Sequence, residues 1–182
     1  VIVAYPYIPG SSSAAFKGVT LFMGVMFSLG SSSAIANIVA GYTMIYRRAF
    51  REGDVVKIGN VSGLVTQVRV QVTHLRTPKN EEVVVPNSTI MGSEVINYST
   101  LAKSPGLILH TTVGIGYETP WRRVEAILLE AADRTSGLLK DPKPFVLAKA
   151  LGDFAITYQI NAYCGEPTRM NRLYSDLHRN IL

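Results

Sequence analysis

A long run without a formal charge constrains this chain more than any other feature. From Gly18 to Tyr46 the sequence contains no Asp, Glu, Lys or Arg. A helix rises about 1.5 Å per residue, so about 20 apolar residues cross the hydrocarbon core of a bilayer. The segment from Val19 to Tyr46 is therefore long enough to span a membrane. The alternative is a buried core helix in a soluble α/β protein.

Basic residues at the end of this run favour the membrane interpretation. Arg47, Arg48 and Arg51 follow the apolar segment directly, with Phe50 between them. Arginines that flank a membrane span mark its cytoplasmic side. We therefore expect these four residues to lie at the boundary between membrane and cytosol. The chain after about residue 50 is predicted to be cytosolic, and most of the charged residues lie there.

The apolar run is predicted to bend near its middle. Gly30 is followed by three serines, Ser31 to Ser33, whose hydroxyls can cap a new helix start or compete with the helix for backbone hydrogen bonds. Beyond them, small residues recur at helical spacing along one side, and large apolar residues lie on another side. The small residues are Gly30, Ala34, Asn37 and Gly41. Small residues let neighbouring membrane helices approach closely, so we expect several copies to pack around an axis.

The serine cluster also admits an enzymatic interpretation. The segment GSSSA, Gly30 to Ala34, fits the loose G-x-S-x-small pattern of a serine hydrolase nucleophile elbow. That fold needs an acidic residue and a histidine on alternating strands and helices, whereas a cluster of short strands follows here. The three histidines, His74, His110 and His178, are more typical of surface or packing positions. A serine hydrolase is therefore an alternative that the context disfavours.

Short strand-like runs follow the arginines. They are Val55–Ile58, Leu64–Val72, Thr73–Arg76 and Val83–Val85. Turn-forming residues separate them, which predicts a small, bent, Sm-like β-sheet within residues 51–104. Alternation in LVTQVRVQV places Leu64 on the more apolar face and Val65 on the face with Gln67 and Arg69, so one face should be buried and the other wet.

The last part of the chain, residues 105–182, is predicted to be an α/β domain. LILHTTVGI forms a strand, and Thr119-Pro120 is a good N-cap and first-turn pair for the helix that follows. PFVLAKALG and FAITYQINAYC form two more strands, and Pro167 opens a second helix. The order β-α-β-β-α is typical of a ferredoxin-like sandwich that lacks its last strand, so the domain is expected to be incomplete at Leu182.

Several motifs in this order resemble the small-conductance mechanosensitive channel family. They are AIANIVAGYTMIYRRAFREGDVVKIG, then GLVTQVRVQVTHLRTPKNEEVVVPNSTI, and then INYS. The resemblance implies a kinked pore helix (residues 17–50), whose second half is amphipathic, followed by the two cytosolic domains. Residues 1–16 would end an upstream membrane segment and form a turn, in a multi-pass protein of the inner or plasma membrane.

The resemblance also implies a function. Members of this family assemble as homoheptamers, contact membrane lipids and open under membrane tension, which releases ions and small osmolytes on hypo-osmotic shock. It implies no enzymatic activity, cofactor, metal or nucleic-acid partner. A soluble RNA-binding module is a second alternative, because small bent sheets of this type also bind RNA, but the scattered Lys and Arg residues show no basic stripe.

Site residues follow from alignment of the motifs. Val25 and Leu29 fall where the family places two rings of constricting apolar side chains, and Leu21 continues the same helical face. The break positions correspond to Ser33, where the best-known members have glycine, and to Gly41, with Gly30 as the nearest substitute hinge. Ala34, Asn37 and Ala40 fall at helix-packing positions. The single cysteine, Cys164, is expected to be a reduced packing residue, and the basic excess of the cytosolic part could bias which ions approach the pore.

Overall fold

The computed structural model of the protein describes residues 13–47 and 49–182, and of Ile45 and Arg47 it describes only the backbone. The predictions for residues 1–12 and for Arg48 lie outside the described residues. The described chain begins with one long helix, continues as a five-stranded β-sheet and ends as an α/β unit. The predicted fold class is therefore confirmed.

The first helix, α1, runs without interruption from Ala14 to Arg47. The backbone N–H of Phe16 donates to Ser13 Oγ at 3.2 Å, which caps the helix start. Ser31 Oγ donates to the Phe27 carbonyl at 2.6 Å, and Ser32 Oγ donates to the Leu29 carbonyl at 3.0 Å. Hydroxyls that bond one turn back remain compatible with a helix. The prediction that the serines start a second helix is therefore wrong, whereas the kink itself stays a prediction.

The next unit, here called the β domain, is an antiparallel sheet with one short helix. Its elements are β1 (Val55–Ile58), β2 (Val61–Val68), β3 (Val72–Arg76), β4 (Glu82–Pro86), α2 (Asn87–Met91) and β5 (Val95–Asn97). The strand order is β4-β3-β2-β1-β5. A register shift between Val65 and Gln67 marks a bulge in β2, and bulges of this kind bend a strand.

The buried face of β2 differs from the alternation predicted from the sequence. Val65 is buried in the core, whereas Leu64 is only half-buried. The bulge interrupts the two-residue period after Val65, and the strand ends at Val68 because the backbone turns at Arg69. The core of the β domain comprises Met44, Phe50, Val56, Ile58, Val65, Leu75 and Ile90. The end of α1 and Phe50 thus belong to this core.

The last unit, here called the α/β domain, packs two helices on one face of a sheet. Its elements are β6 (Leu107–Gly116), α3 (Trp121–Arg134), β7 (Leu138–Leu139), β8 (Phe145–Leu151), β9 (Ala155–Cys164) and α4 (Met170–Ile181). β9 pairs with β6 along one edge and with both β8 and β7 along the other, always antiparallel. This order is the ferredoxin-like arrangement that the sequence predicts, with the two-residue strand β7 in addition.

The core of the α/β domain forms between its sheet and its helices. Leu128 of α3 and Leu177 of α4 meet Ile160 of β9 there, and all three side chains are buried. The N-cap of α3 is Pro120 rather than the predicted Thr119, because the Pro120 carbonyl accepts the first bonds, from the N–H groups of Arg123 and Val124. The helix therefore starts one residue later than predicted.

Replacing Leu177 with Ala tests the core that holds α4 to the sheet. Loss of a fully buried leucine should lower the free energy of unfolding by about 2–5 kcal/mol. Urea denaturation followed by circular dichroism measures it. The matched control is Leu101→Ala, since Leu101 is exposed and its truncation should change stability by less than about 0.5 kcal/mol. Equal losses in the two variants would contradict the assigned core.

Candidate functional site

The exposed part of α1 is the most unusual surface of the described chain. The segment Ala14–Met44 is long and apolar enough to cross a membrane. The rest of the described chain buries none of its most apolar stretch of 18 residues. Phe27 and Leu29 are each about three quarters exposed. A contiguous apolar surface of this size is typical of contact with lipid or with other protein. The helix therefore differs from the buried core helix of a soluble protein.

Two shallow grooves run along different sides of this exposed segment. One is lined by Lys17, Thr20, Leu21, Gly24, Val25, Ser28 and Leu29. The other is lined by Val19, Phe22, Met23, Met26, Phe27, Gly30 and Ser31. The structure thus brings the three predicted constriction residues, Leu21, Val25 and Leu29, onto one face. We call the first set the Leu21 face and the second the Phe22 face.

The second half of α1 packs against its own β domain. Ala40 and Gly41 are buried and Asn37 is half-buried, whereas Ala34 is exposed. Small residues that were predicted to face neighbouring copies thus contact α2 and the β2–β3 turn of the same chain. The packing of Ala34 against another copy stays a prediction.

Asn37 bonds α1 to the start of α2. Its Nδ2 donates to the Ser33 carbonyl at 2.9 Å within α1. Its Oδ1 accepts from the backbone N–H of Ser88, also at 2.9 Å. The N-cap of α2 is Pro86, which makes no side-chain cap bond. Asn37 therefore satisfies one of the N–H groups that the first turn of a helix leaves without a partner.

Gly41 allows the two units to approach closely. A Cβ at this position would collide with the Val70 carbonyl oxygen and would lie 2.9 Å from Nδ2 of Asn87. Any side chain would therefore push α1 away from the β domain. The glycine predicted as a hinge is, in this structure, a contact point, and its hinge role stays a prediction.

Asn87 fixes the surface on which Gly41 rests. Its side chain is completely buried, and its Oδ1 accepts from Thr73 Oγ1 at 2.9 Å. Its Nδ2 donates to the carbonyls of Arg69 and Val70 at 2.9 and 3.0 Å. Asn87 thus donates to two carbonyls of the β2–β3 turn that accept no other described hydrogen bond. Sequence analysis missed Asn87, although its place after Pro86 in VVPN marks a helix start.

A second network lies where α1 enters the β domain. Nδ2 of Asn97 donates to Oδ2 of Asp54 at 3.0 Å and to the Ala49 carbonyl at 3.2 Å. The same Asp54 oxygen accepts from the backbone N–H of Arg51 at 2.9 Å. Phe50 is buried between these anchors. The predicted boundary residues Phe50 and Arg51 therefore lie in a firmly bonded connection, and Asn97 is a second residue that the sequence analysis missed.

The remaining candidate groups do not form a reactive site. Ser31 to Ser33 lie within α1, so the strand–turn–helix that a nucleophile elbow requires is not formed, and the hydrolase alternative is wrong. Burial raises the pKa of the Cys164 thiol and outweighs the opposing effect of the hydrogen bond that its Sγ accepts from the Glu166 N–H at 3.3 Å. A thiol with a raised pKa is a poor nucleophile at neutral pH. Residues 13–47 and 49–182 contain no group of three or more metal-binding side chains.

Two family descriptions match the chain. The one named "Mechanosensitive ion channel, beta-domain" matches residues 33–100, and the one named "Mechanosensitive ion channel MscS, C-terminal" matches residues 109–182. Together they cover most of the chain. The first begins within α1 and includes Asn37, Gly41 and Asn87.

Individual proteins are similar as well. An uncharacterized MscS family protein of Haemophilus influenzae is 29% identical over 159 residues, which are 87% of this chain and 14% of that protein. A small-conductance mechanosensitive channel of Edwardsiella ictaluri is 26% identical over 158 residues, which are 87% of this chain and 54% of that protein. The chain spans about half, or less, of the length of these curated relatives.

One solved structure shows the same fold. The closed-state crystal structure of MscS from Helicobacter pylori matches with a TM-score of 0.72 at 18% sequence identity. The match covers 93% of this chain and 68% of that chain. It extends from α1 through the α/β domain.

Replacing Gly41 with Ala tests the contact between α1 and the β domain. The added methyl group would collide with the Val70 carbonyl, so α1 should separate from α2 and the Asn37–Ser88 hydrogen bond should be lost. Hydrogen exchange of the α2 amides should then accelerate by about tenfold or more, which corresponds to about 1.4 kcal/mol. The control is Gly30→Ala, because nothing lies within 4 Å of that position. Unchanged exchange in Gly41→Ala would contradict this packing.

Proposed function

Because this chain belongs to the MscS family of mechanosensitive ion channels, we propose that it supplies the pore helix and the cytosolic domains of a channel that membrane tension opens. The proposed channel releases ions and small osmolytes on hypo-osmotic shock. The observation that carries the proposal is an exposed apolar helix whose far end is bonded into a folded domain. Lipid acts on one end of this helix and the β domain holds the other.

We further propose that several copies assemble around the pore, as a homoheptamer. A single helix cannot enclose a channel, and the apolar surface of α1 is left uncovered by the rest of the described chain. Membrane lipids would cover one side of each helix and neighbouring copies the others. The division of the chain at residues 16, 50 and 104 into membrane, β and α/β parts belongs to the same proposal.

The orientation is proposed from charge. Arg47, Arg48 and Arg51 follow the span, so the β domain and the α/β domain would lie in the cytosol of a multi-pass protein of the inner or plasma membrane. Phe50 is fixed in the β domain core and Arg51 bonds to Asp54 through its backbone. The boundary between membrane and cytosol would therefore coincide with a rigid connection.

The Leu21 face is proposed to line the pore. Val25 and Leu29 are one turn apart and exposed, so each would form a ring of apolar side chains in a symmetric assembly. Apolar rings at a narrow point stop ions because water leaves the constriction. Tension would open the pore by moving these rings apart.

The bend that opening requires is proposed at Gly30 to Ser33. This segment lies between the uncovered part of α1 and the part that Asn37, Ala40 and Gly41 hold to the β domain. Gly30 has open space around it, and the hydroxyls of Ser31 and Ser32 compete for local carbonyls. Glycine lowers the stability of a helix interior because its backbone is conformationally free, and serine hydroxyls that bond one turn back often bend a helix.

Patch-clamp recording tests the proposal as a whole. Suction applied to membranes that contain the full-length protein, in cells without other such channels, should evoke step-like currents. The same cells should survive transfer to dilute medium better than cells without the protein. The absence of currents up to the tension that ruptures the membrane would contradict tension gating.

Polar substitutions test the pore face. Leu29→Ser or Val25→Ser should wet the constriction, lower the tension at which the channel opens and slow the growth of cells that express the variant. The matched control is Met26→Ser, because Met26 lies on the Phe22 face. An equal fall in threshold for Met26→Ser, or none for Leu29→Ser and Val25→Ser, would show that a different face lines the pore.

A further inference from the structure

Lys17 stands apart from every other residue of the uncovered part of α1. It is the only Asp, Glu, Lys or Arg between Val1 and Tyr46, and Glu52 is the first acidic residue of the chain. Its side chain is exposed, and among the described residues none forms an ion pair with it. Ionisable side chains within membrane segments are rare; they face the interior of a helix bundle or a water-filled cavity or, near helix ends, extend to the membrane surface.

The position of Lys17 is electrostatically unfavourable for the helix itself. Ser13 caps α1, and the Lys17 N–H donates to the Ser13 carbonyl at 3.1 Å, so the lysine lies in the first turn. The N-terminal end of a helix carries partial positive charge and favours acidic side chains there. Local helix stability therefore does not account for a lysine at this position.

Lys17 lies on the Leu21 face, which is proposed to line the pore. It lines the same groove as Leu21, Val25 and Leu29, and it precedes Leu21 by one turn. At about 1.5 Å per residue, it lies about 18 Å from Leu29 along the axis, on the side away from the arginines. In an assembly with the Leu21 face inward, every copy would present an ammonium group to the outer mouth of the pore.

We propose that Lys17 determines ion preference, as a ring of positive charge at the outer mouth that favours anions over cations. The inference rests on the proposed channel function and on the Leu21 face lining the pore. A ring of like charges concentrates ions of opposite sign in the water of a narrow entrance. The amine would act on passing ions through its field and would not bind them tightly.

Reversal potentials in asymmetric potassium chloride measure this preference. Lys17→Gln should lower the ratio of chloride to potassium permeability by about twofold or more, and Lys17→Glu should lower it further. Lys17→Arg keeps the charge and should keep the ratio. Dilute salt on both sides should enlarge the differences, because screening weakens.

Moving the charge tests the face. Lys17→Gln combined with Thr20→Lys returns a lysine to the Leu21 face and should restore the anion preference. Lys17→Gln combined with Val19→Lys places it on the Phe22 face and should not. Restoration by both double variants, or by neither, would overturn the inference.

Covalent labelling gives a second measurement. Cys164 is completely buried, so Lys17→Cys introduces an accessible thiol at a known place. A cationic methanethiosulfonate added from the outer side should restore the anion preference of Lys17→Cys channels, and an anionic one should reverse it. Currents that respond to neither reagent would contradict a position in the ion path.

A control variant in the β domain distinguishes the effect of Lys17 on ion preference from an effect of the basic residues in the β and α/β domains. Lys79 is exposed in the turn between β3 and β4, and Lys79→Gln should leave the permeability ratio unchanged. An equal shift in Lys79→Gln and Lys17→Gln would assign the preference to the cytosolic part instead. Pressure-evoked currents with an unchanged ratio in Lys17→Glu would overturn only the role of Lys17, whereas the absence of currents in the unmodified protein would overturn the channel proposal too.

Discussion

The close contact between α1 and the β domain is the interaction on which the rest of this structure depends. The close approach that Gly41 allows and a hydrogen bond from the Ser88 N–H to Asn37 Oδ1 hold the second half of the helix in place. The contact surface is itself held by Asn87, which bonds two carbonyls of the β2–β3 turn and the hydroxyl of Thr73. Without this contact, only Met44 in the core and the connection at Phe50 would remain as described links between α1 and the domain.

This contact divides α1 into two parts with different surroundings. Residues up to about Gly30 are uncovered by the described chain, whereas Asn37, Ala40, Gly41 and Met44 belong to the folded body. A force on the first part therefore acts on a helix that is fixed at one end. The segment Ser31 to Ser33 lies at the transition between the two parts, where serine hydroxyls compete with backbone N–H groups for the helix carbonyls. In the proposed channel, this arrangement would concentrate deformation within a few residues.

Much of this architecture could be predicted from the sequence. The uncharged run predicts α1, and the order of short apolar runs predicts both sheets. Burial against a core or a membrane requires apolar residues at a characteristic spacing and in segments of characteristic length, so both patterns are visible in the sequence. The local errors have physical causes. The bulge after Val65 reverses the face of β2, and serine hydroxyls that bond one turn back leave the helix continuous. Asn37, Asn87 and Asn97 act through partners far away in the chain, so no local pattern reveals what they bond.

The described groups that form the contact around Gly41 are neutral, whereas the connection at Phe50 also uses the Asp54 carboxylate. The hydrogen bonds of this contact use amide, hydroxyl and backbone groups of Asn37, Ser88, Asn87 and Thr73. Gly41 only allows the helix to approach the β domain closely. Hydrogen bonds between neutral groups do not titrate near neutral pH, and they are screened far less by salt than ion pairs are. The contact around Gly41 should therefore keep its strength when the ionic strength of the surrounding solution falls abruptly. In the proposed channel, the linkage between α1 and the β domain would therefore persist during the dilution that is proposed to open it.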